Sequence, residues 1–276
     1  MIGAFEGRGV ACASLCQRGD QSCAACCGLY NRADLSRRAV REDLRRSSAL
    51  FARTPRTPEG YRAAATLRRR ELPPPLIPSV RLCPLLGFLD ADESRVGCLG
   101  HPAVTGGPDL RAFGAYDLLT CEAFLCPSHA HLSEAEAALA AAAAGDFFLY
   151  GLLVTDARFV QTALSSIEAL AGIRPEPADL GHPPFLRALR ALFAMKEELA
   201  PGSEGHYGAF RTGQTSPPEL PEGTPAERIA VALGGDGLSG NDEDELLREV
   251  TSRLEACATA LEEAARRGGG DPVEGR

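Results

Sequence analysis

The 276-residue chain has no tryptophan, two methionines and only 6% aromatic residues, and Lys196 is its single lysine against 28 arginines. A core made from this composition leans on alanine and leucine. Apolar residues at 45% and charged residues at 24% are ordinary for a globular chain, and they exclude collagen-like, coiled-coil and wholly disordered readings. No apolar run suits a membrane span. The longest, Ala137 to Val154, opens on an alanine tract and carries Asp146 in its middle, so it reads as buried helix. Met1 to Cys12 contains Glu6 and Arg8 and no apolar h-region, so no secretory signal is read. The expectation is a soluble, cytoplasmic protein. G-x-S-x-G, H-E-x-x-H and P-loop motifs are absent, and no acid pair is spaced as general acid and base.

What the chain does have is charge asymmetry and cysteine. Net charge is −8. Residues 1–75 carry about +7, residues 76–130 about −3 and the remainder about −12, so a basic arm stands on an acidic body. Nine of ten cysteines lie before residue 127, and Cys257 stands alone. In a reducing compartment disulfides are rare, so clustered cysteines point to metal or redox chemistry.

The length suits one large domain or two smaller ones. The expected fold is mainly α, with an irregular Cys-rich, metal-centred N-terminal half and a helical C-terminal half. The expected division is 1–132, a Cys-rich metal or Fe–S region with inserted Arg-rich helices; 133–267, helical; and 268–276, a disordered tail. Leu35, Val40, Leu44 and Phe51 make a helical stripe with Arg37, Arg38, Arg41, Arg45 and Arg46 mostly off it. Thr57-Pro58 starts a second helix that runs to Glu71, where Leu72-Pro73-Pro74-Pro75 ends it. Residues 80–130 read as loops around a short hairpin turning at Asp90-Ala91-Asp92. Ser133 and Glu136 form a capping box, and helical patterns follow over 146–154, 156–170 and 184–199. Residues 201–226 read as a long loop, and Asn241 or Asp242 caps a last helix with Cys257 on its apolar seam.

The candidate ligands are Cys12, Cys16, Cys23, Cys26, Cys27, Cys83, Cys98, His101, Cys121 and Cys126. Cys23-x2-Cys26 lets two thiolates of one turn meet a single ion. Zinc takes four such ligands, and an iron–sulfur cluster commonly takes four thiolates. Ten candidates suffice for two four-ligand centres. Cys26 and Cys27 are adjacent, and neighbouring side chains diverge, so they serve two centres or act as one ligand and one packed thiol. Mixed Cys/His ligation through His101 favours zinc, whereas Cys83-Pro84 and Cys126-Pro127 echo the Cys-Pro ending of ferredoxin runs. His129 and His131 read as solvated loop histidines.

Cys23-Ala-Ala-Cys26-Cys27, Cys83-Pro-Leu-Leu, Gly97-Cys98-Leu99-Gly100-His101-Pro102, then Cys121 and Cys126 together resemble the YkgJ-like bacterial family of cysteine-cluster zinc or iron chelators. The resemblance covers residues 12–127 and implies a zinc or iron–sulfur site with a structural or chelating role and no established reaction. His101-Pro102 stands where the family has Arg-Pro, and the last cysteine is displaced to Cys121, which Glu122 follows.

Two alternatives remain open: an Fe–S oxidoreductase or zinc hydrolase, and a zinc-supported nucleic-acid binder using the Arg-rich helices. The arginines have two further readings, a solvated helical face or an offset to the negative charge of metal-bound thiolates. Gly235-x-Gly237-x-x-Gly240 fits a dinucleotide fingerprint, but Asp236 and the acids from Asp242 to Glu245 would repel a pyrophosphate, which favours a linker.

Overall fold

The computed structural model describes residues 15–78, 80–198, 219–234 and 240–268. Cys12, the loop expected over 201–218, Gly235 and Gly237 of the glycine motif and the tail after 268 lie outside the described residues.

The chain is mainly helical. Two short hairpins come first: β1 (Gln17–Arg18) with β2 (Gln21–Ser22), and later β3 (Leu86–Phe88) with β4 (Val96–Cys98), which pairs Leu86 with Cys98. Between them lie α1 (Arg37–Ala52) and α2 (Pro58–Glu71). The stripe read from sequence is the buried face of α1: Val40, Leu44 and Phe51 are interior, with Ser47. Thr57 caps α2 as expected, its hydroxyl accepting from the Gly60 N–H, and Pro58 opens the helix.

Helix also enters the stretch read as loops. α3 (Pro102–Thr105), α4 (Leu118–Ala123) and α5 (Ser128–His131) are single turns, too short for hydrophobic periodicity to register. The C-terminal bundle is α6 (Glu134–Ala144), α7 (Phe147–Val154), α8 (Ala157–Ala171), α9 (Pro183–Glu198), α10 (Pro225–Ala232) and α11 (Asn241–Gly268). The Ser133–Glu136 capping box opens α6 as expected. α10 corrects the sequence reading, which expected a loop through residue 226. The Thr224–Glu227 capping box makes a helix of 225–232.

Every residue of α7 is buried, as befits a helix apolar all round. Tyr150 and Leu153 join the core of the helical bundle with Phe159, Phe185 and Phe193. Phe147, Phe148 and Leu152 join a second core with Leu29, Tyr30, Val40, Leu44 and Phe88. One helix thus serves both halves of the chain. Arg37 of α1 ties the same junction together, with its guanidinium on Asp146, the cap of α7, and on Glu197 of α9 at 2.7 Å.

Among the described residues no helix is long and apolar enough to cross a membrane.

Candidate metal centre

The 3-10 turn Ala25–Cys27 carries the cysteine doublet. It sits between two returns of the chain. The β1–β2 hairpin brings Cys16 to Cys23, whose N–H donates to the Cys16 carbonyl at 2.9 Å. On the other side, the Cys83 N–H donates to the Cys27 carbonyl at 2.9 Å. Gly28 permits this approach. Its φ is +83°, and a Cβ there would lie 2.5 Å from the Arg81 carbonyl oxygen. Gly28→Ala is therefore expected to cost about 2 kcal/mol from backbone strain and overlap. Urea unfolding would read it, and an unchanged midpoint would mean the Arg81 segment is free to move.

The interactions between thiols divide them into two sets of four. Cys26 hydrogen-bonds with Cys126 and Cys16, and Cys23 lies within electrostatic reach of Cys16 and Cys126. Cys27 hydrogen-bonds with Cys83 and feels Cys98 and Cys121, while Cys98 feels Cys83 and Cys121. The adjacent residues Cys26 and Cys27 face different sets. No disulfide forms among the described cysteines. Among the described residues no group of three or more His, Cys, Asp or Glu side chains forms a ready-made metal cage. The sets are close thiols that hydrogen-bond to one another. Their chemistry, four soft sulfur donors per set, fits Zn²⁺ or an iron–sulfur cluster.

Electrostatics favour a thiolate at Cys83 and Cys126, whereas burial and neighbouring sulfurs hold the Cys23, Cys26, Cys27, Cys98 and Cys121 thiols above their ordinary range. Hydrogen bonding from Cys27 draws the Cys83 thiol below its ordinary range, against the cost of burial, and the backbone N–H groups of Leu85 and Ala115 and the charge of Arg69 act the same way. Cys126 is lowered chiefly by Cys26, with help from His129 and Ser128. Burial pushes Cys98 up to about 12, although the Gly100 N–H opposes it. Cys23, Cys83 and Cys98 each accept from the N–H two residues on, at Ala25, Leu85 and Gly100. Such backbone donors stabilise sulfur anions and hold them in place.

Basic side chains gather round the second set. Arg69 donates to the Phe113 and Gly114 carbonyls at 2.6 Å each. Arg62 stacks on Phe113 at 5.1 Å, and a Cβ at Gly114 would come within 3.1 Å of the Cys83 sulfur. Arg111, held by Asp109 and Glu122, opposes the rise that burial imposes on Cys121 and Cys98 without cancelling it. The offset reading of the arginines thus has named residues behind it. The solvated-face reading also has support: Arg45 holds Glu93 and Arg46 holds Glu42, each at 2.6 Å with the arginine more than half exposed, whereas Arg68 is buried against Asp43 and Ser47.

His101 follows Cys98 of the second set by one turn, its N–H donating to the Cys98 carbonyl at 3.2 Å. Its Nδ1 accepts from the Ala103 N–H at 3.2 Å and caps α3, and its charged neighbours are Arg111 and Asp109. Cys257 is wholly buried on α11 as a packed thiol. His129 was read as solvated, yet its Nε2 is buried with no hydrogen-bond partner among the described residues, and its charge favours the Cys126 thiolate. The position of His129 three residues after Cys126, on one helical turn, was the available signal.

No protein-family model, curated protein or solved structure matches the chain.

Proposed function

We propose that the chain is a metal-binding protein with two adjacent four-thiolate centres. The first uses Cys16, Cys23, Cys26 and Cys126, and the second Cys27, Cys83, Cys98 and Cys121. The single observation that carries this reading is the division of the eight N-terminal thiols in view into two sets of four, split at the Cys26–Cys27 peptide. On this reading the chain is a distant relative of the YkgJ-like cysteine-cluster proteins. Its centres hold zinc or an iron–sulfur cluster in a structural or chelating role, and the reducing cytoplasm keeps the thiols available. Four protein ligands per centre favour a closed site over a zinc hydrolase, which needs an open position. With His101 engaged as a cap, the preference for zinc over iron weakens, because all-thiolate sets suit both.

Anaerobic purification, followed by elemental analysis and a visible spectrum on one sample, tests the proposal. Two zinc ions per chain and no colour support the zinc form. Brown protein with iron and acid-labile sulfide supports the cluster form and turns attention to electron transfer between neighbouring centres. Neither metal, with reactive thiols throughout, removes the proposal.

Because metal binding supplies folding free energy (about 10–16 kcal/mol for structural zinc in small fingers), chelation should loosen the cysteine-rich half first. Limited proteolysis after chelation is expected to cut within 15–31 and 80–126 before the C-terminal bundle. An unchanged digestion pattern contradicts a structural role.

A further inference from the structure

We infer that the two centres differ in lability: the second gives up its metal to an incoming thiol ligand through Cys121, while the first keeps its metal as part of the core. This rests on the two-centre reading above. Cys121 is the one exposed thiol of the eight. It stands on α4, a six-residue helix with no buried residue. Leu119, Phe124 and Leu125 beside it are exposed at 73%, 49% and 64%. Asp117 caps α4, and the Arg111–Glu122 ion pair ties it to the 3-10 turn at 111–113. Opening such a turn disturbs little packing, so it lies at the low end of local stability.

The first set is held differently. Cys126 is 5% exposed, and Cys23 packs against both cores that meet at α7. The Leu15 carbonyl, next to Cys16, accepts from the buried Tyr150 hydroxyl at 2.9 Å. Detaching one of these sulfurs disturbs the core itself.

The cavity lined by Cys27, Cys83, Leu44 and Leu86 measures about 10 Å³, room for one water at most. Cys27, Cys83 and Cys98 are only partly exposed, so an incoming group meets Cys121 first. The exchange is a ligand substitution without redox change. The acceptor thiol releases its proton to solvent and its sulfur bonds the metal. The Cys121–metal bond breaks, and Cys121 takes up a proton. Metal leaves for a thiolate acceptor as the remaining sulfurs follow.

The test is zinc release from the full chain loaded with two zinc ions, followed by stopped flow with excess pyridylazo-resorcinol or glutathione. Two phases of equal amplitude are expected, with rates separated by at least about tenfold. Cys121→Ser should remove or accelerate the fast phase alone and leave the circular dichroism unchanged. In the loaded wild type, iodoacetamide should modify Cys121 before any other cysteine of the two sets. A single phase, or a Cys121→Ser effect on the slow phase, overturns the inference while leaving two-centre binding intact. A chain that retains no zinc removes both.

Discussion

Asp156→Ala should be among the most damaging single changes in the helical half, at about 3–5 kcal/mol. Lys196 Nζ lies 2.6 Å from Asp156 Oδ2, with the lysine side chain fully buried and the aspartate 10% exposed. The ammonium also faces the Phe159 ring at 5.5 Å. Removing the carboxylate leaves that charge in the core against the Phe159 ring. Asp156 further caps α8, its Oδ1 accepting from the Phe159 N–H at 2.9 Å, and losing a cap adds ~1 kcal/mol. For a chain of this size the loss corresponds to a Tm drop on the order of 10 °C. Lys196→Met should cost less, because the aspartate keeps its cap role. Asp156→Ser with Lys196→Met should recover most of the loss, since serine caps and methionine suits the site. Denaturant titrations of the three variants check this. A cost for Asp156→Ala below about 1 kcal/mol would mean the pair behaves like a surface bridge.

Gly151→Val is expected to be as severe for a different reason. Glycine inside a helix is usually a weakness relative to alanine. Here a Cβ would lie 2.0 Å from the Tyr30 hydroxyl and 2.6 Å from its ring. Tyr30 is fully buried, and its hydroxyl donates to the Phe147 and Phe148 carbonyls at 3.1 Å. The ring must move, so overpacking of about 1–3 kcal/mol adds to the cost of unpairing a buried hydroxyl, about 1–3 kcal/mol. Tyr30 lies three residues after Cys27, so the strain also reaches the cysteine turn. Thermal unfolding should show a loss already for Gly151→Ala and a larger one for Gly151→Val. Tyr30→Phe should relieve part of it by removing the atom nearest the new Cβ. A Gly151→Ala protein that melts like the wild type contradicts the packing described.

Much of the helical architecture was legible because caps and apolar stripes are local signals. Thr57-Pro58, Ser133 with Glu136, and the α1 stripe each carried their own physics in a few residues. α10 carries the same kind of signal, Thr224 with Glu227, but the surrounding Gly, Pro and Ser outweighed it. The cysteines were legible as a group large enough for two centres, but not which thiol joins which set. The partition depends on the 3-10 turn that turns Cys26 and Cys27 apart, and on which return of the chain reaches which side. Both are tertiary facts that spacing does not encode. The cap role of His101 was legible in its place before Pro102, and its Nδ1 takes that role.

The shared helix α7 has a consequence for how the protein is made. Tyr30 finds its partners at Phe147 and Phe148, 117 and 118 residues later in the chain. At ~5–20 residues per second a ribosome needs roughly 6–25 s to cover that gap. Throughout that interval the cysteines up to Cys27 are already synthesised while one wall of their core does not yet exist. Nascent chains stalled ahead of residue 147 would therefore carry these thiols unsheltered, and the metal binding proposed above would wait until α7 has emerged.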